Sequence, residues 1–131
     1  MKIRLIFLLV LVTLGPACKK EPRQSDYAGT WVVNEVEIYN PPSTTPYPST
    51  QGEHGTITVS FAGMTEAVLQ LRLYDQTNTL RIDESYQAVY GKDEDGDPYF
   101  KAEGTGEVLA YVFDKEMDFY GITGARIAAK K

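Results

Sequence analysis

Between Thr56 and Phe61 apolar and polar residues take strict turns, with Ile57, Val59 and Phe61 set against Thr56, Thr58 and Ser60. A period of two sends successive side chains to opposite faces of an extended chain, so this stretch reads as a strand with one face in a core. The same rhythm returns around Glu66–Tyr74, where Leu69, Leu71 and Leu73 oppose Gln70 and Arg72. It returns again where Leu80, Ile82, Tyr86, Ala88 and Tyr90 oppose Arg81, Asp83, Ser85 and Gln87. The Ala, Leu and Gln content of the second of these also allows a helix from Thr65. Turn residues separate the runs: Gly63, then Asp75-Gln76-Thr77-Asn78, then the acidic Lys92-Asp93-Glu94-Asp95-Gly96-Asp97-Pro98 with its Asp-Gly pair.

Shorter strands are expected at Tyr99–Glu103, Glu107–Phe113, Met117–Tyr120 and around Ala125-Arg126-Ile127, divided by Gly104, Gly106, Asp114-Lys115-Glu116, Gly121 and Gly124. The first strand, Thr30 to Tyr39, is irregular, because Trp31 and Val33 share one face whereas Val36 and Ile38 share the other. A bulge near Asn34 or Glu35 would bring all four to the core face. After it, Asn40 to His54 holds four prolines among polar residues, which predicts a long loop without regular structure. Loops of that length inside a small domain are functional or mobile. The expected fold is therefore all-β, an antiparallel up-and-down meander of seven or eight strands. Closure into a small barrel hides its edges, and a two-sheet β-sandwich is the alternative.

The amino terminus is of a different kind. Lys2 and Arg4 precede an apolar run from Leu5 to Leu14, and Gly15-Pro16-Ala17 leads into Cys18, the only cysteine of the 131-residue chain. A charged start, a short apolar stretch and small residues read as a secretory signal. The run is too short for a comfortable membrane span. Residues 1–17 are thus expected to be a signal peptide, 18–26 a tether and 27–131 one domain. Within 27–131 eight Lys and Arg stand against sixteen Asp and Glu, a formal charge of −8. A domain so acidic repels phosphate backbones, which argues against nucleic-acid partners. Its nine tyrosines suit strands and interfaces.

Two resemblances follow from these residues. Ala17-Cys18 after the apolar run resembles the lipobox of bacterial lipoproteins, although Gly15 stands where that family usually has Leu. The resemblance implies lipid on Cys18, attachment to a membrane of the cell envelope and, since Lys19 is not Asp, placement at the outer membrane. Gly29-Thr30-Trp31 opening the first of many hairpin-linked strands resembles the calycins, among them short lipocalin-like envelope lipoproteins. That resemblance implies that Trp31 plugs one end of the barrel, with Arg126 of the last strand packed over its ring by a cation–π contact. It also implies a ligand end opposite Trp31, with the proline-rich loop and its Tyr39 and Tyr47 lying across it as a lid.

Other candidate sites are weaker on their chemistry. His54 is the only histidine, so it cannot form a two-histidine metal site, and its polar surroundings suggest no triad. Glu35 and Glu37 share a strand face at about 7 Å, within reach of a glycosidase-like pair, but paired carboxylates on a solvent face are far commoner. Asp93, Asp95 and Asp97 alternate as the first ligands of a calcium loop do, yet the glycine and the twelfth position depart from that pattern. No nucleophile, base and orienter fall together, so no enzyme activity and no cofactor are expected. Two functions stand: a lipid-anchored envelope protein binding a small apolar ligand, or an accessory lipoprotein with a solid core that engages an envelope protein.

Overall fold

The structure, a computed structural model, describes residues 24–131, so the signal segment, Cys18 and most of the tether lie outside the described residues. It opens on one helical turn, α1 (Gln24–Tyr27). Nine strands follow: β1 (Gly29–Tyr39), β2 (Pro42–Pro46), β3 (His54–Phe61), β4 (Glu66–Tyr74), β5 (Leu80–Lys92), β6 (Pro98–Ala102), β7 (Val108–Phe113), β8 (Glu116–Phe119) and β9 (Ala125–Lys130). Every neighbouring pair is antiparallel, and β1 pairs with β9 as well as with β3. β1 and β3 to β9 therefore close an eight-stranded up-and-down barrel, with β2 as an additional strand. The barrel form holds and the sandwich does not. Closure leaves most of the sheet without an edge to defend.

Strand β1 does the work of two. Val32 faces Thr56 of β3 on one edge and Lys130 of β9 on the other, whereas Glu35 to Ile38 face β9 and β2. β2 and β3 thus lie end to end along the same edge of β1. The register against β9 slips between Val33 and Glu35, so Asn34 is the extra residue of a bulge. That turns Val36 towards the core, where it packs against the buried cluster, but Ile38 extends past the barrel and remains 43% exposed. The Leu-rich segment from Glu66 is a strand along its whole length, held between β3 and β5. Its helical alternative loses to two flanking ladders.

The proline-rich segment departs from its expected form. Pro42–Pro46 is a strand, with Pro42 opposite Tyr39 and Pro46 opposite Glu35. Prolines are tolerated because β2 is bonded to β1 alone, and an edge strand needs hydrogen bonds on one side only. Only Tyr47 to Glu53 remains a loop, tied down by Tyr47 N–H to Asn34 O at 2.8 Å and Ser49 N–H to Glu53 O at 2.8 Å.

The interior is built from alternate residues: Trp31 and Val33, Ile57 and Val59, Leu69 and Leu71, Ala88, Phe100, Val112, Met117 and Phe119, Ile127 and Ala129, each at most 2% exposed. Gly55 belongs to this set for want of room. A Cβ there would sit 2.4 Å from Leu73 Cδ2 and 2.8 Å from the Arg72 carbonyl.

Candidate functional site

At the end where β1 begins, the chain closes the barrel on itself. Gly29 has φ of 108°, a conformation that suits glycine and turns α1 under the barrel mouth. Tyr27 is 2% exposed and Trp31 has no exposed surface, and the Trp31 indole N–H donates to the Tyr27 carbonyl at 3.0 Å. Above them Tyr27, Tyr90, Phe61 and Phe100 form a ring cluster with centroid distances of 5.6–6.0 Å. Burial, with Tyr90 and Asp26 nearby, pushes the Tyr27 phenol up to about 12.

Arg126 takes no part in this plug. The cation over Trp31 is the carboxy-terminal residue, Lys131, whose Nζ lies 5.7 Å from the ring centroid. The same ammonium donates to the Asp26 carbonyl at 2.7 Å and to the Ala28 carbonyl, tying the chain end to α1. The reason is register and parity. Arg126 pairs with Glu37, well up β1 from Trp31, and it alternates with the buried Ile127, so its side chain lies outside the barrel.

There Arg126 spends its guanidinium on three carboxylates: Nη2 to Glu35 at 2.6 Å, Nε to Glu37 at 3.0 Å and Nη1 to Asp118 at 2.6 Å. All four side chains are between 24% and 36% exposed. Burial alone pulls the Arg126 pKa down, but hydrogen bonds to Glu37 and Asp118 raise it further, so the guanidinium stays charged. Glu35 and Glu37 are accordingly ion-pair partners of an arginine across the seam where β1 meets β9. Both carboxylates are engaged by the same guanidinium, which accounts for the pair as a structural feature of the seam.

At the opposite end Tyr47 folds over the mouth and packs against the core. A hollow of about 220 Å³ lies beside it, lined by Tyr47, Glu53, Leu73, Tyr74, Arg81 and Ile82. Burial and the neighbouring Glu53 carboxylate raise the Tyr47 pKa. Tyr39 is not part of this lid: it stands at the tip of β1, 47% exposed, with its N–H on the Gly124 carbonyl at 3.0 Å. His54 stacks on Tyr74 at 4.8 Å and places Nδ1 3.0 Å from the Gly52 carbonyl, a structural role. On β5 the Tyr86 hydroxyl donates to Glu84, and the Tyr86 ring meets Phe119 edge-on at 5.2 Å.

The acidic hairpin between β5 and β6 brings Asp93, Asp95 and Asp97 together, with ligand atoms all within 4.8 Å of one another. One oxygen is already engaged, because Asp93 Oδ1 accepts the N–H groups of Asp95 at 3.0 Å and Asp97 at 2.9 Å. These bonds account for the cluster as turn chemistry.

Sequence reasoning missed Lys131, Asp118 and Glu84. Asp118 was legible, since it sits two residues from Glu116 on the outward parity of a short strand. Lys131 was not, because nothing in the sequence says which chain end folds back onto α1. No family model matches the chain, and neither a curated protein nor a solved structure matches it.

Proposed function

We propose that this chain is a lipid-anchored accessory protein of the cell envelope, a solid-cored lipocalin-like barrel that acts through its outer surface on a protein partner. One observation carries the reading. Trp31, Val33, Ile57, Leu69, Leu71, Phe100, Val112 and Phe119, drawn from six strands around the barrel, have no accessible surface. A side chain with no accessible surface borders no space that a water molecule can enter, so the middle of the barrel offers nothing the size of a lipid chain. The lipobox-like approach to Cys18 supports the anchor, and the five residues between Cys18 and α1 reach about 18 Å at most, which keeps the domain close to the outer membrane on either face.

The mouth hollow beside Tyr47 favours a second reading, a small ligand held at the end of the barrel. About 220 Å³ between Tyr47, Leu73, Tyr74 and Ile82 suits a compact molecule with an apolar body and a polar edge facing Glu53 and Arg81.

Native mass spectrometry of the domain from Gln24 onward separates the two. The accessory reading expects a bare polypeptide mass and no thermal stabilisation by fatty acids or quinones. A stoichiometric small molecule that raises the melting temperature would overturn it in favour of the mouth site. The anchor has its own test: labelled palmitate should enter the full chain and fail to enter Cys18→Ser.

A further inference from the structure

The outside of the barrel is divided into two chemistries. Where β3, β4 and β5 face outward they present mainly polar residues, Thr56, Thr58, Gln70, Arg72, Ser85 and Gln87, with Val68 and Val89 the aliphatic exceptions, opposite in parity to the buried Ile57, Leu69, Leu71 and Ala88. On β1, β6 and β7, and just past β8, the outward positions carry five aromatics, Tyr39, Tyr99, Tyr111, Phe113 and Tyr120, set among the charged Glu35, Glu37, Lys101, Glu116 and Asp118 and opposite in parity to the buried Phe100, Ala110, Val112 and Phe119. Tyr39, Phe113 and Tyr120 are 47%, 46% and 38% exposed, and the Tyr111 and Phe113 rings stack at 6.2 Å. Exposed tyrosines and phenylalanines around an arginine are the composition of protein interfaces rather than of open surface.

This face has a hollow at its centre. In the cross-strand row Glu35, Ala128, Asp118 the middle residue is a bare methyl, and a depression of about 270 Å³ opens over it, reaching Asn34, Phe113 and Lys130. Three carboxylates share the one guanidinium of Arg126, which leaves that network with a charge of −2. Independently, the Asn34 Oδ1 at the bulge is buried and has no hydrogen-bond partner among the described residues. An unmet acceptor beside surplus carboxylates calls for a group that brings several N–H donors and positive charge.

The geometry points to this face as the docking surface for a lysine- or arginine-bearing segment of a partner protein. One cationic side chain enters the hollow over Ala128, and the residues beside it lie on Phe113 and Tyr111. The inference rests on the accessory reading above and gives it a surface and a partner chemistry. A protein segment fits better than a free amine, because the aromatic residues continue past the hollow along β7 and onto β6.

The test uses the full chain in cells that make it, with the photocrosslinker p-benzoylphenylalanine at Phe113 or Tyr39 and, as controls on the other face, at Thr58 or Ser85. A single adduct from Phe113 and Tyr39, mapped to a partner segment containing Lys or Arg, is expected. Its sign is then tested with two exposed residues that pair with each other at 3.7 Å and take no part in the Arg126 network. Glu116→Lys should lower the adduct yield threefold or more, and Lys130→Glu should raise it. The opposite signs, or a mapped segment without cations, overturn the inference. Adducts from Thr58 or Ser85 alone overturn this surface and leave the accessory reading standing. Absence of adducts from all four positions overturns both.

Discussion

Trp31 is held by a wall of side chains on one side and by α1 on the other, and its single polar atom is satisfied by the Tyr27 carbonyl. Trp31→Ala therefore removes the largest buried side chain of the closed end, and leaves the Tyr27 carbonyl without its donor. Urea denaturation should report a loss of about 3–5 kcal/mol. Trp31→Phe keeps most of the packing and should recover more than half of that loss. Protonation of Asp75 breaks several hydrogen bonds at once. The Thr77 hydroxyl, the Thr79 N–H, Arg81 and the Thr77 N–H all bond its carboxylate and hold its pKa far below the ordinary carboxylate range. A pKa depressed in the folded state gives stability that is present above the unfolded value, near 4, and is lost as pH falls below it. The wild-type urea midpoint should fall between pH 4 and pH 2, and Asp75→Asn should flatten that fall while being less stable at pH 7.

At the scale of elements, the β1–β9 seam is the join that turns a meander into a barrel, and Arg126 stitches it by bonding two residues of β1 and one of β8. Arg126→Gln leaves three carboxylates facing one another. The expected loss is about 1–2 kcal/mol, discounted for partial exposure. Because what remains is like-charge repulsion, the loss should shrink in 1 M NaCl. If the variant is as stable as wild type at low salt, the seam does not depend on this network. The strands themselves were legible, since the alternation at Ile57, Val59 and Phe61 or at Leu69, Leu71 and Leu73 is a direct imprint of a half-buried sheet. The bulge at Asn34 was legible too, from the change of face between Val33 and Val36. Strand β2 was not, because a proline-rich composition says nothing about whether an edge is free to accept it. Arg126 was misplaced for a related reason. Chain order put it in the last strand, but only the register against Glu37 decides which ring or carboxylate a long side chain can reach.

For the whole molecule, the barrel is closed below by α1, Tyr27 and Trp31, and narrowed above by Tyr47, with a core that leaves no accessible surface on its central side chains. Such a body has little to offer inside and a divided surface outside: mainly polar side chains on one side, aromatics and carboxylates around an over-neutralised arginine on the other. This is why the proposed function is placed on the surface, where sequence periodicity carries least information, and why the fold was more legible than the site. The central claim is that the barrel is full. Diffraction from crystals pressurised with xenon tests it most directly, because xenon occupies dry apolar cavities that larger probes cannot report. A full barrel shows no xenon peak among Trp31, Leu71, Phe100 and Phe119, with any weak occupancy confined to the mouth beside Tyr47. An ordered xenon atom between those four side chains would contradict it.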